Sequence, residues 1–236
     1  MRLAQPKAPA ISTQNHQALQ PLVKLLLSIR RPRPLIVGLA GHSGVGKSSI
    51  AKLLHQQLEA AGKHVWNLSY DNFVYPLGDP RRTRSTWDLD QIDLAEAHRV
   101  LQAIARRDKK ISLTWRNQLS ETTVSETVFI QPLDVIIFEG LHVLGTRPPL
   151  NFLDYVHVPI FIDAHASDLQ RWRFARETLK TQPRSRKAMQ GLWPYLEYDY
   201  AQHIAPSKKN AWHVIEHASD HTYTLDRKST RLNSSH

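Results

Sequence analysis

The chain of 236 residues predicts an α/β fold of three layers, with a mainly parallel sheet, a small β flap and a helical lid. Three observations carry that expectation. The stretch Gly41-His42-Ser43-Gly44-Val45-Gly46-Lys47-Ser48 fits G-x-x-x-x-G-K-[ST], the phosphate-binding P-loop, which belongs between a strand and a helix. Beyond it, short apolar runs alternate with stretches of helical periodicity, as when parallel strands are joined by crossover helices. The length suits one such domain with a sizeable buried core.

The elements follow in order. Leu35-Ile36-Val37-Gly38-Leu39-Ala40 is an apolar run suited to a buried strand. Ile50, Leu53, Leu54, Leu58 and Ala61 then recur at helical spacing until Gly62 stops them. Residues 64–70 read as a second strand, and residues 71–86 as a polar loop rich in Pro and Arg. Leu94, Ala97, Leu101, Ile104 and Ala105 mark a helix, with Asp90 as its expected N-cap. Residues 111–115 and 124–130 are β-prone runs that suit a small hairpin or flap. Val135-Ile136-Ile137-Phe138 reads as a central strand ending in Glu139-Gly140, and residues 156–162 as a fourth strand closed by Asp163.

A helix is expected over 167–179, a basic lid segment over 181–187, and edge strands over 212–215 and 222–225. Residues 1–34 hold no Asp or Glu and form an N-terminal extension, helical in part. Their leucine-rich face over 19–29 and early prolines suit a helix docked on the domain better than a transit segment. The P-loop domain spans 35–226, and residues 227–236 read as a disordered tail or an artefact.

Composition narrows the function. The formal charge is +10, with Arg227, Lys228 and Arg231 supplying three of those charges. Such an excess fits polyanionic substrates, and no basic stripe interleaved with aromatics suggests specific nucleic-acid binding. Cysteine is absent, which excludes disulfides and thiolate metal sites and fits a reducing, cytoplasmic setting. No apolar run reaches the roughly 18–20 residues needed to span a bilayer, so no membrane partner is expected. The 13 histidines are scattered without H-E-x-x-H spacing, and no G-x-S-x-G elbow occurs. A homo-oligomer is left open.

The loop itself dictates chemistry. Its glycines let successive backbone N–H groups turn toward phosphate oxygens, and the following helix adds partial positive charge. Gly41, His42, Ser43, Gly44, Val45, Gly46, Lys47, Ser48 and Ser49 are therefore the expected nucleotide contacts, with ATP and Mg²⁺ as cofactors. Lys47 reaches the outer phosphates, and the Ser48 hydroxyl is a metal ligand.

In an open parallel sheet, ligands bind beyond the carboxyl ends of the strands. Three acids fall there: Asp71, Glu139 and Asp163. Glu139 is placed as a Walker-B acid that holds the metal, and Asp71 as a base for an incoming hydroxyl. The alternative for each is an acid that caps a helix or pairs with an arginine.

Taken in order, Gly41 to Ser48, Tyr70-Asp71-Asn72-Phe73, Phe138-Glu139-Gly140 and the arginine-bearing helix resemble the phosphoribulokinase/uridine kinase family of small-metabolite kinases. The resemblance covers residues 35–225, and Glu139-Gly140-Leu141-His142-Val143-Leu144 is also similar to bacterial pantothenate kinases. It implies a P-loop kinase fold, Asp71 as catalytic base, Glu139 at the metal, and lid arginines over the phosphates. Of Arg171, Arg173 and Arg176, the last is favoured as the catalytic arginine.

Two departures leave the acceptor open. Uridine kinases carry P-x-Y-D and His-x-Arg where this chain has Leu113-Thr114-Trp115-Arg116-Asn117. Pantothenate kinases have a longer arginine- and glycine-containing loop than Arg81-Arg82-Thr83-Arg84-Ser85-Thr86-Trp87-Asp88. Asp71, Arg84, Trp87, Asp88 and Arg116 are the candidates for substrate contact.

The expectation is an ATP-dependent kinase acting on a hydroxyl of a small metabolite, nucleoside-like (as uridine) or pantothenate-like. The alternatives are a non-catalytic ATP-binding homologue and a nucleotide-dependent switch. A GTPase switch should show N-K-x-D and D-x-x-G motifs, and neither is present.

Overall fold

The structure, a computed structural model, describes residues 13–30, 34–75, 79–81, 91–116, 123–178 and 185–227. In chain order the strands are β1 (Leu35–Gly41), β2 (Val65–Ser69), β3 (Lys110–Arg116), β4 (Thr123–Phe129), β5 (Val135–Glu139), β6 (Val158–Asp163), β7 (His213–His217) and β8 (Tyr223–Arg227). Six of them form one sheet in the order β2-β5-β1-β6-β7-β8, and β3 and β4 form a separate hairpin. Every neighbouring pair of the large sheet is parallel except β7 and β8.

The helices α1 (Thr13–Ser28), α2 (Lys47–Ala60), α3 (Leu94–Arg106), α4 (Ala166–Thr178) and α5 (Arg186–Asp199) complete the layers. Alternate residues of each strand enter opposite cores. Ile36, Ala40, Ile136, Phe138, Phe161 and Val214 face α3 and the hairpin. Val37, Leu39, Ile137, Ile160, Ile162 and Ile215 face α1, α2 and the Leu169 turn of α4. With both faces covered, β1 and β5 are buried throughout, which is why they read as unbroken apolar runs. Each such aliphatic side chain stabilises the fold by about 1.5–3 kcal/mol.

The docked helix of the N-terminal extension is α1. Leu19, Leu22, Val23 and Leu26 repeat at three- and four-residue spacing and are buried in the second core.

The structure corrects several details. The N-cap of α3 is Asp93, whose carboxylate accepts the Glu96 N–H at 2.9 Å. Asp90 lies outside the described residues. Ile92 is occupied instead in an antiparallel bridge to Val74, so the helix starts three residues later than Asp90 would set it. The fourth strand begins at Val158 because a short 3₁₀ turn over Phe152–Tyr155 precedes it. Of the two expected edge strands, β7 is interior and β8 lies at an edge, opposite β2 at the other. β8 runs through Arg227, one residue into the segment read as tail, and 228–236 lie outside the described residues.

Of the expected lid segment, 181–184 lie outside the described residues. Ser185 caps α5 by accepting the Ala188 N–H at 3.2 Å, so Arg186 and Lys187 begin a helix. A π-helical turn (Tyr200–Ile204) and a 3₁₀ turn (Ala205–Asn210) then lead into β7. Among the described residues, no helix is long and apolar enough to cross a membrane.

Candidate active site

The order β2-β5-β1 puts three carboxyl-terminal strand ends side by side. β1 delivers the Gly41–Ser48 loop, β5 delivers Glu139, and β2 delivers Ser69 and the 3₁₀ turn that holds Asp71. Register aligns Glu139 with Leu39 on one side and Ser69 on the other.

The loop ends at Gly46, the N-cap of α2, with φ +97°, a conformation that costs a glycine little and other residues much. No side chain caps α2, and its first turn carries no acid. Its first amides are therefore left to another acceptor, the usual anion site at a helix start. Ser48 and Ser49 lie exposed on that turn.

The Lys47 ammonium folds back over the loop, donating to the Gly41 and His42 carbonyls at 3.1 and 3.0 Å. Burial lowers its pKa, Glu139 and Asp71 raise it, and Arg176 and Arg173 lower it again. These four charged groups thus act on one ammonium, which brings Lys47, Asp71, Glu139 and Arg176 to one end of the sheet.

Glu139 is 8% exposed. Its Oε1 accepts the Ser48 hydroxyl at 3.1 Å and the Ser69 hydroxyl at 2.9 Å. Ser69 Oγ also accepts the Asp71 N–H at 3.3 Å, tying the two acids together through one side chain. Asp71 itself is exposed at the start of its turn. Asp163, the third strand-tip acid, is engaged elsewhere: Lys208 binds its Oδ2, and the Tyr200 hydroxyl lies 3.4 Å from its Oδ1.

The three arginines of α4 divide by what they touch. Arg173 donates to Ser43 Oγ within the loop. Arg176 is exposed one turn further along α4, close enough to act on Lys47. Arg171 turns away, donating to Asp168 at 2.7 Å and to the Ser219 carbonyl at 3.3 Å.

Helix α5 covers the loop from above. His42 is 2% exposed, with its Nε2 3.4 Å from Glu197 Oε1. Its ring meets Trp193 and Tyr200 at centroid distances of 5.5 and 4.7 Å. Burial drops the His42 pKa to about 4 and raises that of Glu197.

Behind the acids, Gly140 admits the Tyr70 ring: a Cβ there would stand 2.2 Å from Tyr70 Cβ. His142 packs edge-on against that ring at 5.8 Å, and burial drops its pKa to about 4. Neither Tyr70 Oη nor His142 Nδ1 has a hydrogen-bond partner among the described residues.

Next to Asp71 opens a cavity of about 260 Å³, formed by the 3₁₀ turn, the start of α3 and the hairpin. Asn72, Tyr75, Arg81, Asp93, Ser112 and Trp115 contribute to its wall. Arg81 lies 4.2 Å over the Tyr75 ring and pairs with Asp79 and Asp93 at 2.9 and 3.4 Å. Trp115 Nε1 has no hydrogen-bond partner among the described residues.

Of the expected acceptor contacts, Arg84, Trp87 and Asp88 lie outside the described residues. Arg116 ends β3, and its side chain lies outside them too. Sequence reasoning did not single out Ser69, Tyr75 or Arg81. Ser69 was legible two positions before Asp71, whereas Tyr75 and Arg81 sit in a loop with no periodic signal.

Ser48 and Glu139 offer hard oxygen donors in direct contact, the donor type Mg²⁺ takes alongside phosphate and water. The uncapped α2 start and the Lys47 ammonium fit a polyphosphate.

A family model described as the phosphoribulokinase / uridine kinase family matches residues 36–223. A pantothenate kinase of Mycobacterium sp. (strain KMS) is 30% identical over 152 residues, 62% of this chain and 49% of that protein. The chain therefore spans about half the length of the mycobacterial relatives it matches. A uridine kinase of Lactobacillus johnsonii is 27% identical over 210 residues, 86% of this chain and 95% of that protein. In fold, the chain is similar to a D-glycerate 3-kinase from Cryptococcus neoformans, with a TM-score of 0.66 and 16% identity over 94% of this chain and 100% of the other. A possible uridine kinase from Bacillus stearothermophilus gives 0.62 and 18% over 84% and 97%.

Proposed function

This chain belongs to the phosphoribulokinase/uridine kinase family, and on that premise we propose that it is a Mg²⁺-ATP-dependent kinase that phosphorylates a hydroxyl of a small metabolite. The observation that carries the reading is the contact of Ser48 with Glu139 beside the Gly41–Ser48 loop, with Asp71 linked to the same carboxylate through Ser69.

In this reading the α2 amides and the Lys47 ammonium bind the β- and γ-phosphates. Ser48 and Glu139 would hold Mg²⁺, which would supply charge neutralisation for the phosphates. Asp71 orients the acceptor hydroxyl and takes its proton as the oxygen attacks the γ-phosphorus, whose bond to the β–γ bridging oxygen breaks to release ADP. Arg173 and Arg176 stabilise the charge spread over the transferring group, and α5 keeps water from the loop. A cytoplasmic setting fits a chain without cysteine.

The cavity beside Asp71 is where the acceptor lies. Its described walls carry Asp79, Asp93 and Glu96 against the single guanidinium of Arg81. That balance favours an uncharged, hydroxyl-bearing acceptor over a carboxylate, and Tyr75 and Trp115 offer flat surfaces to a nucleoside-like ring. A pantothenate-like acceptor is the second reading, supported by the relatives that bear that name. A non-catalytic ATP-binding homologue would leave Asp71 without a task.

The test is ADP formation from MgATP across a panel of uridine, cytidine, pantothenate, glycerate and ribulose 5-phosphate. Turnover that depends on one member supports the kinase and names the acceptor. ATP binding without turnover on any member supports the non-catalytic homologue.

A further inference from the structure

His217, the last residue of β7, is 7% exposed and lies directly beneath the phosphate-binding loop. Its Nδ1 is 2.8 Å from the Val45 carbonyl oxygen. A carbonyl only accepts, so this ring nitrogen carries the proton and Nε2 of the neutral ring is an acceptor. His221 Nδ1 stands 3.2 Å from that Nε2 and must be the donor.

His221 is held in turn. It sits in the β7–β8 turn with φ +66°, and its N–H donates to the Ala218 carbonyl at 2.9 Å. Its carbonyl accepts Asn15 Nδ2 at 2.9 Å, while Asn15 Oδ1 accepts the Tyr223 N–H at 3.0 Å. Asn15 is buried on α1, outside the 36–223 segment that matches the family. The His217 ring cannot swing aside, because Trp172 stacks on it at 4.2 Å and Tyr223 meets its edge at 4.8 Å. Burial also keeps its pKa below the ordinary histidine value, so the ring stays neutral.

The partner of this hydrogen bond is what matters. The peptide that joins Val45 to Gly46 is planar and trans, so its C=O and its N–H point in opposite directions. Holding the Val45 oxygen down toward His217 aims the Gly46 N–H away from β7. Gly46 is the one residue of this pair that tolerates either orientation of the peptide, and a flip would turn that amide away from an incoming anion. His217 Nδ1 lies 3.4 Å from where a Gly46 Cβ would be, so the ring touches the flip point itself.

The geometry points to His217 as a positioning residue that locks the Val45–Gly46 peptide with its amide turned to the phosphates, through a relay that runs from Asn15 on α1 by way of His221. The inference rests on the triphosphate reading of the loop proposed above. It adds a role for the N-terminal helix: α1 anchors the nucleotide loop from outside the segment shared with the family.

The experiment is calorimetric titration of the full chain and its variants with MgATP and, as a probe without a nucleoside, inorganic tripolyphosphate. His217→Ala is expected to weaken both ligands about tenfold, the size of one hydrogen bond. His217→Asn places an amide N–H where Nδ1 stood and is expected to recover affinity to within about threefold of the parent. His221→Gly keeps a residue that accepts positive φ and removes the donor to His217 Nε2, with an expected loss of a few-fold. A folded His217→Ala protein with parental affinity for both ligands overturns the relay alone. If His217→Ala does not fold, parental affinity in His221→Gly overturns it. A parent chain that binds neither ligand overturns the phosphate reading of the loop, and the relay with it.

Discussion

Ser48 and Glu139 stand 91 positions apart in the chain and meet through one hydrogen bond, Oγ to Oε1 at 3.1 Å. The contact exists because β1 and β5 are neighbours in register, so the loop after one strand returns over the tip of the other. Replacing Glu139 with Gln keeps the shape and removes the charge. Turnover should fall roughly 10²–10³-fold, as when one preorganised polar group is lost from an active site. The Mg²⁺ concentration for half-maximal rate should rise as well, and Ser48→Ala should move it in the same direction. Initial rates over a Mg²⁺ titration check both; a Gln variant with parental Mg²⁺ dependence counts against this metal site.

The three arginines of α4 should separate by function. Arg173 touches Ser43 of the loop, so Arg173→Ala should raise the KM for ATP and lower kcat. Arg176→Ala should lower kcat with a smaller change in KM, because it acts by charge on the transferring group. Arg171 is engaged by Asp168 and Ser219, and Arg171→Ala should leave both constants within about twofold. Steady-state kinetics on the three variants tests the ranking, which an equal loss in all three would contradict.

Gly140 is required by packing. Its Cβ position is 2.2 Å from Tyr70 Cβ, and both atoms belong to the backbone-near part of the core. Gly140→Ala should therefore cost about 1–3 kcal/mol or more, since neither neighbour has a flexible end to move. Urea unfolding is the measurement, and a midpoint equal to the parent's would show that β2 and β5 separate more easily than this packing implies.

Acid should destabilise the fold before most carboxylates titrate. Burial holds His42 and His142 near a pKa of about 4, whereas the unfolded chain protonates them near 6.5. Between those values the unfolded state binds more protons, so stability is full above pH 6.5 and drops as pH falls toward 4. Each histidine contributes at most about 3 kcal/mol to that loss. His142→Leu should flatten the dependence of the urea midpoint on pH between 6.5 and 4.5. An unchanged slope would mean that His142 is protonated in the native state.

The sheet was legible because burial on both faces leaves continuous apolar runs, as in Leu35 to Ala40 and Val135 to Phe138. The loop and the two acids were legible because each follows such a run directly. Boundaries set by side-chain hydrogen bonds were not: Asp90 and Asp93 are equal as N-caps until the Val74–Ile92 bridge fixes where the chain enters α3. The choice among the α4 arginines depended on how that helix turns relative to the loop, which periodicity does not give when apolar and charged residues circle it evenly. The His217 contact with Val45 joins residues 172 positions apart and leaves no local pattern at either end.

Transfer of label from [γ-³²P]ATP to the acceptor in a single turnover, comparing the parent chain with Asp71→Asn, tests the central claim most directly. The account predicts one labelled phosphoester per ATP consumed, and in Asp71→Asn a rate lower by about 10²–10⁴-fold with ATP affinity retained. Label released only as inorganic phosphate, or transferred by Asp71→Asn at the parental rate, would contradict it.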